Sequence, residues 1–130
     1  MNDYVVTATG TAGVLQGEPN MRFDGTNFYQ SSYSGGSVTG TSTLITIVAA
    51  SGVSANFSYY VSDGTNKRAG TVMSVWDGST SEYTDYSTPD IGGSTTGISF
   101  RTTVSGSNIL FQSVVTSGTW TVKVGSRIVF

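Results

Sequence analysis

The sequence predicts an all-β protein, an antiparallel β-sandwich of jelly-roll-like kind, and three observations carry that expectation. Composition is the first: 20 Ser, 20 Thr, 15 Val and 6 Ile stand against 3 Leu and 6 Ala. Strong helix formers are scarce, while β-branched residues suit a pleated, half-buried surface. The second is a period of two in apolar and polar residues over several short stretches. The third is punctuation of those stretches by Asp-Gly and Ser-Gly, where Gly accepts φ > 0 and Asp bonds its own backbone. The chain has 130 residues and is 37% hydrophobic, enough for a core and too apolar for a disordered segment.

Taken in order, residues 1–30 make a short N-terminal extended or strand segment. Apolar alternation appears at Tyr4, Val6 and Ala8, and again at Met21 and Phe23. Thirty residues bury little core alone, so Tyr4, Val6, Met21 and Phe23 are candidates for an anchor that orders against another surface. Residues 31–41, SSYSGGSVTGT, have the composition of a flexible linker. The sandwich is expected over residues 42–130.

Within it, Leu44 to Val48 is short and apolar, a buried strand. Ala55 to Ser62 alternates, with Phe57, Tyr59 and Val61 on one face. Lys67 to Trp76 carries apolar groups on both faces, Met73 and Val75 on one and Val72 and Trp76 on the other. A strand at the surface of a monomer shows one polar face, so Val72, Met73, Val75 and Trp76 are candidates for a subunit interface. Ser81 to Ser87 is rich in Tyr and acid, as an edge strand is. Residues 87–97, STPDIGGSTTG, are too long for a tight hairpin, and Pro89 stops a central strand; they suit a crossover between sheets. Ile98 to Val104, Ile109 to Val115 and Trp120 to Phe130 complete seven strands. In the last, Trp120, Val122, Val124, Ile128 and Phe130 share one face, with Lys123 and Arg127 opposite.

The tetrapeptide DGTN occurs twice, at Asp24 to Asn27 and at Asp63 to Asn66, with looser copies at Asp77, Ser105 and Ser117. Such loops could hold calcium, but that ion needs about six to eight oxygens. Asp63 and Asp77 bracket one strand and are separated by tens of ångströms, about 3.3 Å per residue. The copies read as turns, and no metal or other cofactor is expected.

Several functions are disfavoured. The net charge is −2 with only six Lys and Arg, so no basic stripe tracks a nucleic acid. No apolar run approaches the roughly 18–20 residues that span a bilayer, and the first residues carry no secretory-signal pattern. Cys and His are absent, which removes thiol nucleophiles, disulfides, ordinary zinc sites and imidazole bases. Glu82 and Asp85 are three apart in a strand, and so diverge rather than converge on one glycosidic bond. Lys67 and Lys123, the two lysines, sit in no Ser-x-x-Lys frame. A non-enzymatic protein without catalytic residues is expected.

Aromatic residues offer binding instead. Tyr83, Asp85 and Tyr86 could form a small platform for a glycan, with rings for stacking and a carboxylate for hydroxyls; a plain solvated edge is the other reading. Trp120 lies on the apolar face and belongs to the core.

The stretch NFSYYVSDGTNKRAGTVMSVWDGSTSEYTDYSTPDIGG, followed by ISFRTTVSGSNILFQSVVTSGTWTVKVGSR, resembles a C-terminal β-domain of bacteriophage virion proteins, especially tail and head fibres. The resemblance rests on Asp63 to Asn66, Arg68 to Thr71, Val75 to Gly78, Glu82 to Thr84 and Gly118 to Lys123. GEPNMRFDGTNFY, Gly17 to Tyr29, is similar to the segment that precedes fibre head domains. The resemblance implies a structural protein on the virion surface, a homotrimer that contacts other capsid or tail proteins and a host-surface glycan. With about 40 residues ahead of the domain, a short head fibre or capsid decoration protein fits better than a long tail fibre. A carbohydrate-binding module, or the receptor-binding tip of a tail fibre, is the alternative.

Overall fold

The computed structural model describes residues 32–129 in full and, ahead of them, the backbone of three strands: β1 (Tyr4–Ala8), β2 (Leu15–Phe23) and β3 (Phe28–Gln30). The chain divides into two compact units, Met1–Ser32 and Tyr33–Phe130. In the first unit the strands form one antiparallel sheet in the order β1-β2-β3. Tyr4 pairs with Arg22, Val6 with Gly17, Met21 with Gln30 and Phe23 with Phe28. The four anchor candidates therefore sit in paired strands; their side chains, like the DGTN copy at 24–27, lie outside the described residues.

The second unit is an antiparallel β-sandwich. Its strands are β4 (Tyr33–Val38), β5 (Thr41–Val48), β6 (Ser54–Ser62), β7 (Lys67–Trp76), β8 (Ser81–Ser87), β9 (Ile98–Ser105), β10 (Asn108–Val115) and β11 (Trp120–Val129). One sheet has five strands in the order β4-β11-β6-β7-β8, and the other has three, β5-β10-β9. The seven strands expected from Leu44 onward are all present. The eighth, β4, corrects the expectation of a linker over 31–41. Tyr33, Ser34, Gly35 and Val38 pair with β11, and Val38 is buried in the core. An edge strand held by backbone bonds needs few apolar side chains, so its Ser and Gly content resembles a linker's. A bulge, with Ser37 at φ 59°, interrupts the pairing.

Three of the Gly turns close hairpins, joining β6 to β7, β7 to β8 and β9 to β10. Gly64 at φ 102° and Gly78 at φ 93° occupy backbone conformations that a Cβ disfavours. The fourth turn, at Ser117, does something else: it carries the chain from β10 in the small sheet to β11 in the large one. The 88–97 segment likewise passes from β8 to β9 and changes sheets, as expected.

The core lies between the sheets. Phe57 from β6 stacks on Phe111 from β10 at 4.1 Å between centroids and 4° between planes. Phe100 from β9 joins at 5.3 Å from Phe111 and 4.3 Å from Tyr59. These rings bridge the two layers, where large aromatic side chains contribute most. Trp120 is buried there, as its position on the apolar face implied.

Candidate functional site on the outer face of the five-stranded sheet

Strand alternation sorts the residues singled out from the sequence. In β7, Val72, Ser74 and Trp76 point into the sandwich, while Met73 (43% exposed) and Val75 (55%) point out. The proposed interface quartet is thus divided. Val72 is fully buried, and the Trp76 indole N–H donates to the carbonyls of Ala49 and Gly52 at 3.1 and 3.0 Å. Val72 and Trp76 belong to the monomer's core and cannot meet a partner; only Met73 and Val75 remain available.

The glycan platform is divided in the same way. Tyr83 pairs with Ser74 and Asp85 with Val72, so both share the inward parity of β7, whereas Tyr86 pairs with Thr71 on the outward side. Tyr83, Asp85 and Tyr86 do not form one surface. Asp85 is engaged elsewhere, accepting the Tyr59 hydroxyl at 2.8 Å. Glu82 pairs with Val75 and faces outward, so Glu82 and Asp85 lie on opposite faces of β8.

Asp85 is one end of a polar chain that sequence reasoning missed. Arg68 Nε donates to the same Tyr59 oxygen at 3.1 Å. Its Nη1 donates to the Thr95 carbonyl and hydroxyl at 3.0 and 2.6 Å, and its Nη2 to the Ile98 carbonyl at 3.1 Å. Asp90 in turn accepts the Thr95 hydroxyl at 2.5 Å and its backbone N–H at 2.9 Å. Desolvated charges need such partners, and this set fastens the 88–97 crossover to β7. Burial pushes the Tyr59 phenol above its ordinary value, with the Arg68 hydrogen bond opposing and Asp85 adding to the rise. The Thr95 bonds, and then the Arg68 charge, hold Asp90 below the usual carboxylate range. One signal was legible: Arg68 sits at an inward position of an alternating strand, where a charge demands acceptors.

The turn carboxylates are occupied too. Asp63 accepts the backbone N–H groups of Thr65 and Asn66 at 3.0 and 2.7 Å and the Asn66 side-chain amide at 2.8 Å. Asp77 accepts those of Ser79 and Thr80 at 3.0 and 2.9 Å. These bonds lower both carboxyl pKa values. The second DGTN copy also ties down the crossover, since Asn66 Oδ1 accepts the Gly93 N–H. Among the described residues no group of three His, Cys, Asp or Glu could hold a metal.

The outward side of the large sheet remains. Near the 77–80 turn, Met73 and Val75 lie between Thr84 and Glu82 on β8 and Asn56 and Ser54 on β6, and they line a shallow depression of about 430 Å³. Beyond β6, Arg127 pairs with Asn56. Apolar groups thus occupy the middle of the face, with an anion toward one edge and a cation toward the other. The small sheet differs: its outer side carries a polar array, Arg101 donating to Gln112 at 3.0 Å and Gln112 to Thr43 at 3.1 Å. Comparison of the chain with family models, with curated proteins and with solved structures finds no match.

Proposed function

We propose that this chain is a non-enzymatic structural protein of a bacteriophage particle, a short head fibre or capsid decoration protein that assembles as a homotrimer on the virion surface. The observation that carries the reading is the outward pair Met73 and Val75, set between Glu82 on β8 and Arg127 on β11. In a cyclic assembly the left edge of one face meets the right edge of the next. Glu82 of one copy then approaches Arg127 of its neighbour while the apolar pair turns toward the symmetry axis. A stable interface takes about 800 Å² per partner, more than two side chains supply. Tyr86, Thr84 and Asn56 must therefore join the contact. The sequence resemblance to fibre β-domains supports the virion setting, and the paired strands of the first unit supply the segment that attaches to it.

Native mass spectrometry tests the assembly, with an expected mass three times that of the 13.6 kDa chain. A double substitution, Met73→Glu with Val75→Lys, should yield a folded monomer. A wild-type monomer at micromolar concentration would refute the interface. Mass spectrometry of purified particles, with the chain counted against the major capsid protein, tests the virion role, and its absence from the particle would refute that part.

A further inference from the structure

The other end of the same face is chemically different. The chain has two lysines, Lys67 and Lys123, and both flank one ring. Lys123 is the direct cross-strand partner of Tyr60, and Ala69 lies on the ring's other side with Lys67 two residues along β7. Diagonal neighbours of that kind are about 7–8 Å apart, within reach of long side chains. Tyr60 is 37% exposed. Pro89 and Ile91 wall the far side, because the segment after β8 pairs back through Lys67 and Ile91 at 2.9 Å. Tyr60, Lys67, Pro89 and Ile91, with Arg68, Ala69, Thr88 and Asp90, bound an open depression of about 440 Å³, within the roughly 300–1,000 Å³ usual for small-molecule sites, and Lys123 stands next to it on the other side of Tyr60. Neither ammonium group has a hydrogen-bond or ion-pair partner among the described residues. Asp63 is committed to Asn66, and Asp90, the one carboxylate in the wall of the depression, turns both its oxygens to Thr95.

We propose that this depression binds an acidic sugar, a pyranose ring bearing a carboxylate. The Tyr60 ring offers a face for the sugar's C–H side, Pro89 and Ile91 cover its apolar edge, Lys67 in the wall meets the carboxylate, and Lys123, beside Tyr60 on β11, adds positive charge at the rim. Lys67 is eight residues along β7 from Val75, about 26 Å at 3.3 Å per residue, so the site and the assembly contact occupy separate ends of the face. Binding is a property of one chain and does not depend on the trimer.

Titration of the full chain with tetragalacturonate, followed by NMR shifts and calorimetry, tests the site. Shifts should centre on Tyr60, Lys67, Lys123 and Ile91, and added salt should weaken binding. Its methyl ester and neutral maltotetraose should bind about tenfold more weakly, and Tyr60→Ala should lose about the same factor. Lys67→Gln with Lys123→Gln should abolish the preference for the acid; these exposed or half-exposed positions leave the core untouched, so the result does not hinge on folding. Equal binding of the ester, unchanged affinity in the double lysine variant, or no shifts at millimolar ligand would each overturn the proposal. So would inorganic phosphate binding as tightly as the sugar and independently of Tyr60, since that describes a bare anion site.

Discussion

Replacing Gly70 by alanine puts a methyl group into space that two other strands already use. An added Cβ would lie 2.4 Å from the Tyr86 carbonyl oxygen and 2.5 Å from the Tyr59 hydroxyl. The carbonyl belongs to the β8 backbone and cannot rotate away, so either β8 or the Tyr59 ring must move. Overpacking of this kind costs about 1–3 kcal/mol. Moving the ring also breaks the hydroxyl's bonds to Asp85 and Arg68, and bonds to charged groups are worth roughly 1.5–3 kcal/mol each. Partial exposure places these at the low end, about 1.5 kcal/mol each, for a total of about 4–6 kcal/mol with the overpacking. At roughly 4–8 °C per kcal/mol for a domain near 100 residues, the midpoint should fall by at least about 16 °C. Urea unfolding followed by tryptophan fluorescence reads this unit alone, because Trp76 and Trp120 are both buried in the sandwich. Gly36→Ala is the control: its nearest neighbour would be the Thr121 hydroxyl at 4.0 Å, and the change should stay within about 0.5 kcal/mol. If Gly70→Ala unfolds within about 1 kcal/mol of the native protein, on the same scale of mutational effects, the close seat of Tyr59 on Gly70 is wrong.

Acid should weaken the fold through Asp63, Asp77 and Asp90. Each has a folded pKa below its ordinary 3.8, so their contribution is present above that value and is lost as pH falls through the lower folded values; urea midpoints should decline below about pH 4, less steeply in Asp90→Asn. Truncation to residues 33–130 should leave a cooperative thermal transition by circular dichroism. Truncation to 41–130 removes β4 and the buried Val38 and should cost at least about 2 kcal/mol; an unchanged midpoint would return residues 33–38 to the status of a linker. Ser113 Oγ is buried without a hydrogen-bond partner, so Ser113→Ala should be neutral or stabilising by up to about 1 kcal/mol, and a clear loss of stability would reveal a bond to that oxygen.

Much of this was legible in the chain. Alternation and Gly turns place β5 to β11, because a period of two reports directly which residues a sheet buries. The same parity places Trp120 in the core and makes Glu82 and Asp85 diverge. It could also have divided Val72 and Trp76 from Met73 and Val75, and Tyr83 from Tyr86, since neighbours in a strand face opposite ways whatever their chemistry. What alternation cannot report is pairing across the sandwich. Only the tertiary structure placed β4 beside β11, because its bonds run through the backbone, which every residue but proline shares. Only it joined Arg68 to Thr95 and Asp85 to Tyr59, contacts 27 and 26 residues apart. Lys67 and Lys123 lie 56 positions apart in the chain; the registers of β6 with β7 and with β11 bring them to either side of Tyr60. Sequence alone determined the strands β5 to β11 and the faces they bury, since local residue pattern reports both; sheet membership and strand order, decided by the packing of the whole chain, determined which side chains became neighbours.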